Sequence, residues 1–317
     1  MTATRTATSF DEAVRLIGDR RTVCCIGVFD GVHAGHQKLV GAAIAEARRR
    51  RLASLVFTFR NHPLTYLAPP YAPLLLTEPD EKQRHLEALH PSIILMLEFN
   101  GDLARLEPEP FVTDVLAQRL RVVSIWCGQD FRFGRAGRGN IDLLRALEAQ
   151  SGVAAHTIEP VLLDGHCVSS TGIRAQLEEG EAKRAAEGLG RPYVIAGAVV
   201  SGHGRGRLLR YPTANLAPPA GVVLPADGIY AVRVAVGGHW HGGMMNLGPS
   251  PTFGVTERRF EVHVLDFGGE LVGQTVQVAF LERLRDIRYF DSVERLVAQI
   301  RADERRTRRI LEGSTDE

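Results

Sequence analysis

The amino-acid sequence predicts two domains of different class: an α/β domain on a parallel sheet, then an all-β domain that ends in a helix. Two patterns carry this. In the first half, near-continuous apolar runs alternate with stretches of helical period, as in a parallel sheet covered on both faces. After about Gly190 the runs become short, regularly spaced and broken by Gly and Pro, as in an antiparallel barrel or sandwich. A length of 317 residues fits two domains.

Residues 21–28 (RTVCCIGV) read as the first strand. Residues 36–51 read as the helix after it, with Leu39, Val40, Ala43, Ile44 and Ala47 at helical spacing. Strands follow at 52–59, 92–97, 122–127 and 155–162, and helices over 80–89, 111–119 and 141–151. The polar stretch 178–191, with glycines at 180, 188 and 190, reads as the connection, so the domains are taken as 1–185 and 186–317. Beyond it, strands are predicted at 193–200, 229–236, 243–247, 260–265 and 275–281, and an amphipathic helix over 291–311.

Charge excludes several classes of function. Lys and Arg number 38 against 37 Asp and Glu, a formal net charge of +1. That is not a polybasic protein held to nucleic acid by its overall charge, nor an acidic disordered tail. Only three of the 38 cations are lysines, Lys38, Lys82 and Lys183, so the chain favours arginine strongly. The cysteines Cys24, Cys25, Cys127 and Cys167 form no C-x-x-C pair, and the first three read as small core hydrophobes in a reducing compartment. No secretory signal and no run of membrane-spanning length is visible, which points to the cytoplasm.

The strongest local signal is GVFDGVHAGH, residues 27–36, between a strand and a helix. Gly27, Gly31 and Gly35 allow tight turns and close approach to a ligand. The loop aims backbone N–H groups at an anion, at the positive end of a helix dipole. His33 and His36, three apart, can then serve phosphate oxygens; the alternatives are a metal pair or two surface histidines. Asn61-His62-Pro63, GQDFRFG (128–134, with Asp130) and SSTGIR (169–174) each follow a strand and could complete the site. In the last, Ser170 and Thr171 either cap a helix or bond phosphate, and Arg174 can grip a phosphate in bidentate fashion. Phe131 and Phe133 read as packing residues.

In the second domain, GHGRGR supplies Gly202, Gly204, Arg205, Gly206 and Arg207, a loop suited to wrapping phosphates. Thr213 and Asn215 of PTAN would point one way in an extended chain, and hydroxyl plus amide oxygen suits Mg²⁺; the alternative is a polar turn after Pro212. Glu261 lies in the alternating strand FEVHVL, where a carboxylate either accepts a proton from an attacking hydroxyl or sits on a solvated face. Asn246 and Arg285 fall in segments that look like ligand-bordering loops.

Taken together, these segments closely resemble the bacterial bifunctional riboflavin kinase/FMN adenylyltransferase (FAD synthetase) family, in order and over nearly the whole chain. GVFDGVHAGH, His62-Pro63, GQDFRFG and SSTGIR match the adenylyltransferase half. The PTAN region, DGIYAVRV, NLGPSPTF, FEVHVLDF and LRDIRYFDSVERLVAQIRAD match the kinase half. The resemblance implies a Rossmann-like nucleotidyltransferase domain and a six-stranded barrel with a terminal helix. It implies ATP-dependent phosphorylation of riboflavin to FMN, then adenylylation of FMN to FAD with release of pyrophosphate. By it, His33 and His36 would stabilise ATP phosphates, Ser170, Thr171 and Arg174 would hold them, and Asp130 would sit at the nucleotide or flavin. Gly27, Phe29, Asp30, Gly31, Gly35, Asn61 and His62 would border that site. Thr213 and Asn215 would take Mg²⁺, Glu261 would be the base for the riboflavin 5′-hydroxyl, and Arg285 would lie near the flavin. The expected partners are riboflavin, FMN and ATP, with no nucleic acid or membrane; a homo-oligomer stays open. The rival readings are an adenylyl- or cytidylyltransferase for another substrate, and a flavin-binding protein with one activity lost. The chain departs from the family pattern at Asn61, Gly172, Arg210, Ser250 and Val272.

Overall fold

The structure is a computed structural model and describes residues 3–201, 211–253 and 255–313. Its packing defines two units, Met1–Ser170 and Thr171–Glu317.

In the first unit, β1 (Arg5–Ala7), β2 (Thr22–Ile26), β3 (Ala53–Phe59), β4 (Ile93–Leu97), β5 (Val122–Cys127) and β6 (Ala154–Thr157) form one parallel sheet. Their spatial order is β1-β4-β3-β2-β5-β6. Successive strand residues point to opposite faces, so the sheet feeds two apolar cores. Leu55, Phe57, Leu95 and Ile125 lie in one; Val23, Val56 and Ile94 lie in the other, under Leu39, Val40 and Ala43 of helix α2 (Ala34–Arg50). Cys24, Cys25 and Cys127 are buried, as small core hydrophobes should be. From β2 the chain moves to β3 on one side and later returns to β5 on the other. That reversal makes the C-terminal ends of β2 and β5 the topological switch point, where open parallel sheets bind ligands.

The second unit is a closed barrel of β9 (Tyr193–Val200), β10 (Ala214–Ala217), β11 (Gly228–Val236), β12 (His239–Ser250), β13 (Val255–Val264) and β14 (Thr275–Arg285), in the order β10-β13-β12-β11-β14-β9. Tyr230, Val232, Val234, Met245, Leu247, Val262 and Phe280 are fully buried and fill it. The terminal helix, Val293–Gly313, packs on β12 and β14.

Four details differ from expectation. The strand predicted to reach 162 stops at Thr157, because Pro160 has no N–H to give a ladder. β7 (Leu162–Leu163) and β8 (His166–Cys167) pair instead as a hairpin, with Asp164 and Gly165 at positive φ. The helix predicted over 141–151 is broken at Leu147. The stretch read as a connection holds the helix Ala182–Leu189, which buries Ala182, Ala185 and Leu189 and packs on β14 and β9. β1 and helix α1 (Phe10–Ile17) lie in a segment to which the sequence pattern assigned nothing.

Candidate active sites

Residues 27–36 leave β2 at the switch point. Asn61-His62-Pro63 follows neighbouring β3, and 128–134 follows neighbouring β5, so three predicted segments emerge side by side. Phe29 (φ 52°), Gly31 (φ 82°) and Val32 (φ 40°) all adopt left-handed backbone. For phenylalanine and a β-branched valine this costs on the order of 1–2 kcal/mol each, so the surroundings must hold it. Asp30 does much of the holding. It is 3 % exposed, and its carboxylate accepts the N–H groups of Leu76 (2.9 Å) and Thr77 (3.2 Å). Gly31 N–H donates to Thr77 Oγ1 (3.2 Å), and Ser170 Oγ donates to the Asp30 carbonyl (2.9 Å).

His33 caps helix α2, its Nδ1 accepting the His36 N–H at 3.3 Å. The two imidazoles stack with centroids 3.6 Å apart and 19° between planes, and Phe29 meets His36 edge-on at 5.2 Å. Burial, then His33 and then Lys82, hold the His36 pKa well below the ordinary imidazole value, so this ring is neutral at pH 7. Its Nδ1 is buried and has no hydrogen-bond partner among the described residues. Space here is tight. A Cβ on Gly35 would stand 3.1 Å from the His33 ring, and one on Gly27 3.0 Å from the Phe29 ring.

Asn61 accepts Phe99 N–H (2.7 Å) and donates to Phe99 C=O (3.0 Å). An amide carries both a donor and an acceptor, so this departure from the family pattern braces the ends of β3 and β4. His62 caps the short helix Pro63–Leu67, its Nδ1 accepting Leu64 N–H at 3.2 Å. Asp130 is exposed in the turn after β5. Phe131 and Phe133 stack at 5.6 Å and pack on the core, as read from sequence. Ser170 opens the helix Ser170–Glu178, on which Thr171 and Arg174 follow in the second unit. The motif reading passed over Lys82, which is 4 % exposed and hydrogen-bonds the carbonyls of Val28 and Phe59.

In the barrel, strand register assembles residues far apart in sequence. Asn215 pairs with Glu261, Glu261 with Asn246, Asn246 with Ile229, and Ile229 with Arg285. These five form one row across β10, β13, β12, β11 and β14. Cross-strand partners share a face, and this is the face opposite the one that fills the barrel. Glu261 stands 3.8 Å from Arg259. Asn246 donates to Ser250 Oγ (3.2 Å), while its buried Oδ1 has no partner among the described residues. Arg285 is clamped by Asp303 of the terminal helix (2.8–3.2 Å), with its guanidinium over the Phe290 ring. Thr213, exposed, shares the lining of a cavity of about 270 Å³ with Val199, Ser201, Ala214 and Leu271. Gly202, Gly204, Arg205, Gly206, Arg207 and Arg210 lie outside the described residues.

A parallel sheet with a glycine- and histidine-bearing loop at its switch point, joined to a barrel carrying a carboxylate between two amides, is the architecture of an enzyme with a nucleotidyltransferase half and a phosphotransferase half. Residues 17–172 match the FAD synthetase family model and residues 189–311 the riboflavin kinase model. A curated relative from Escherichia coli (strain K12), named bifunctional riboflavin kinase/FMN adenylyltransferase, is 36 % identical over 283 residues, which is 89 % of this chain and 90 % of that one. One of the same name from Bacillus subtilis is 33 % identical over 290 residues, with the same shares. A solved structure titled macrolide-efflux protein, from Streptococcus pneumoniae, has 34 % identity and a TM-score of 0.83, covering 97 % of this chain and 99 % of that one. Among the described residues no helix is long and apolar enough to cross a membrane. The chain belongs to the bifunctional riboflavin kinase/FMN adenylyltransferase family. It is an enzyme of two-step flavin cofactor synthesis.

Proposed function

We propose that the two reactions use the residues as follows, with the division of labour at 185/186, between the two matched stretches. The row from Asn215 to Arg285 carries the reading of the kinase half. Glu261 takes the proton of the riboflavin 5′-hydroxyl as its oxygen attacks the γ-phosphorus of ATP and ADP leaves. From Glu261 to Arg285 is three strand spacings, about 14 Å around the wall, a reach suited to the ribityl chain with the ring beginning at its far end. Asn246 then faces ribityl hydroxyls, and Arg285, set by Asp303, faces the ring. Thr213 and Asn215 offer the hard neutral oxygens that Mg²⁺ takes, so the donor set fits; bound there, the ion would neutralise phosphate charge.

In the first unit, an FMN phosphate oxygen attacks the α-phosphorus of ATP and pyrophosphate leaves. His33, His36 and the first N–H groups of α2 meet the developing phosphate charge, supported by Ser170. Asp130 borders the nucleotide. The buried unpaired thiols Cys24, Cys25 and Cys127 suit the cytoplasm.

The test is a double dissociation, following riboflavin, FMN and FAD over time with ATP and Mg²⁺. Glu261→Gln should slow FMN formation by about 10²–10⁴-fold and leave FAD formation from added FMN at the wild-type rate. His36→Ala should slow adenylylation by about 10²–10³-fold and spare the kinase. A variant that keeps its own reaction refutes its assignment.

A further inference from the structure

Lys82 lies on the helix Pro79–Glu87, one turn before Leu86, and both are buried. Its ammonium donates to two backbone carbonyls, those of Val28 and Phe59. Val28 is the second residue of the GVFDGVHAGH loop after β2, and Phe59 ends β3 just before Asn61-His62-Pro63. The segment leading into this helix is bound to the same loop through Leu76 N–H and Thr77 N–H on the Asp30 carboxylate, and Thr77 Oγ1 on Gly31 N–H. Residues 76–82 therefore buttress the anion loop from below, and Lys82 is where that buttress carries charge.

Neutral donors could tie two carbonyls. A lysine buried to this degree is an expensive way to do it, and this chain prefers arginine almost everywhere else. What lysine adds is a compact charge that can lose its proton when buried. The groups facing it are Asp30 in the loop and Arg60 at the end of β3, while His36, stacked on His33, faces it from α2. We propose that Lys82 is a positioning residue for adenylyl transfer: its buried ammonium joins the loop ends that carry the histidine pair and the Asn-His-Pro motif, and holds a fixed positive charge beneath the phosphate site. This rests on the assignment of the 27–36 loop to ATP phosphates. The charge favours incoming polyphosphate and departing pyrophosphate without touching substrate itself, and it adds to the burial and the His33 ring that hold His36 neutral.

Burial lowers the Lys82 pKa to about 8, only partly offset by Asp30. The ammonium is thus present at pH 7 and lost as pH rises through about 8, and kcat/KM reports this free-enzyme ionisation. The experiment measures kcat/KM for ATP in FMN adenylylation from pH 6.5 to 9.5, for wild type, Lys82→Met and Lys82→Arg. Riboflavin phosphorylation by the same molecules is the control for folding and for assay pH. Wild type should show a falling limb near pH 8 that the kinase reaction lacks. Lys82→Met should be slower by tenfold or more and flat, while Lys82→Arg, charged throughout, should be flat and faster than Lys82→Met. A flat wild-type profile overturns the proposal without any variant, as does a limb that persists in Lys82→Arg or Lys82→Met. If Lys82→Met loses the cooperative unfolding of the first unit, the wild-type and Lys82→Arg profiles decide. Failure of the underlying assignment is distinguishable, because His36→Ala would then also leave adenylylation intact.

Discussion

The two sites are built by opposite strategies. In the first unit, one ten-residue loop supplies the histidines, the helix-opening backbone N–H groups and the left-handed turns, and surrounding side chains hold it in shape. In the barrel no loop holds the row. Asn215, Asn246, Glu261 and Arg285 come from four strands, and their ladder register aligns them, with Asp303 of the terminal helix setting the Arg285 side chain. A loop site stands or falls with its local props, whereas a register site depends on the whole wall and tolerates local change better. Substitutions of supporting residues should expose that difference.

The largest effect is expected at Asp30. Asp30→Ala removes a buried carboxylate that accepts backbone N–H groups, each such bond contributing about 1.5–3 kcal/mol. The first unit should unfold at lower denaturant with adenylylation reduced, while the kinase reaction keeps its rate. Loss of both reactions together would mean the units are not supported separately. Next is Asp303→Asn, which loosens the clamp on Arg285 without moving a strand. The KM for riboflavin should rise by roughly tenfold, the size of one charge-assisted bond, with kcat changed less and adenylylation unchanged. A fall in kcat alone would place Arg285 away from flavin binding.

A smaller effect is pH-dependent. The folded pKa of His36 lies well below its ordinary 6.5, so the unfolded chain binds the extra proton first. The stability this contributes is complete above about pH 6.5 and is lost as pH falls toward the folded value. Denaturant midpoints of the first unit should therefore decline below pH 6.5 in wild type and less so in His36→Ala. Smallest is Gly35→Ala, whose methyl group presses on the His33 ring at 3.1 Å. It should lower adenylylation several-fold, by displacing the His33 imidazole at a cost of about 1 kcal/mol, with no effect on the kinase.

The same contrast explains what could be read beforehand. The parallel sheet, the barrel and the histidine loop were legible because β2, β3, β4 and β5 are uninterrupted apolar runs and the loop is contiguous. The register row was not, since nothing in FEVHVL says which residue of NLGPSP or LRD will stand beside Glu261. The residue pattern offered Glu261 and Asn215 with alternatives left open, and the resemblance gave these residues their roles. Lys82 had a faint signal, a lysine one turn before Leu86, the apolar residue of that helix. Asp303 had none, lying among charged residues of a helix whose partner strand is remote in sequence. β1, three residues long, is too short for any period to show.

That short strand has a consequence of its own. Unpaired strand edges are templates on which other chains can add, and proteins blunt them by shortening or closing them. Here the parallel sheet is bounded by β1 with three residues and β6 with four, and the antiparallel strands close on themselves through β9 and β10. Among the described residues, little backbone is left for a neighbouring chain to extend, so the fold resists edge-to-edge aggregation while leaving its loop ends open to ligands.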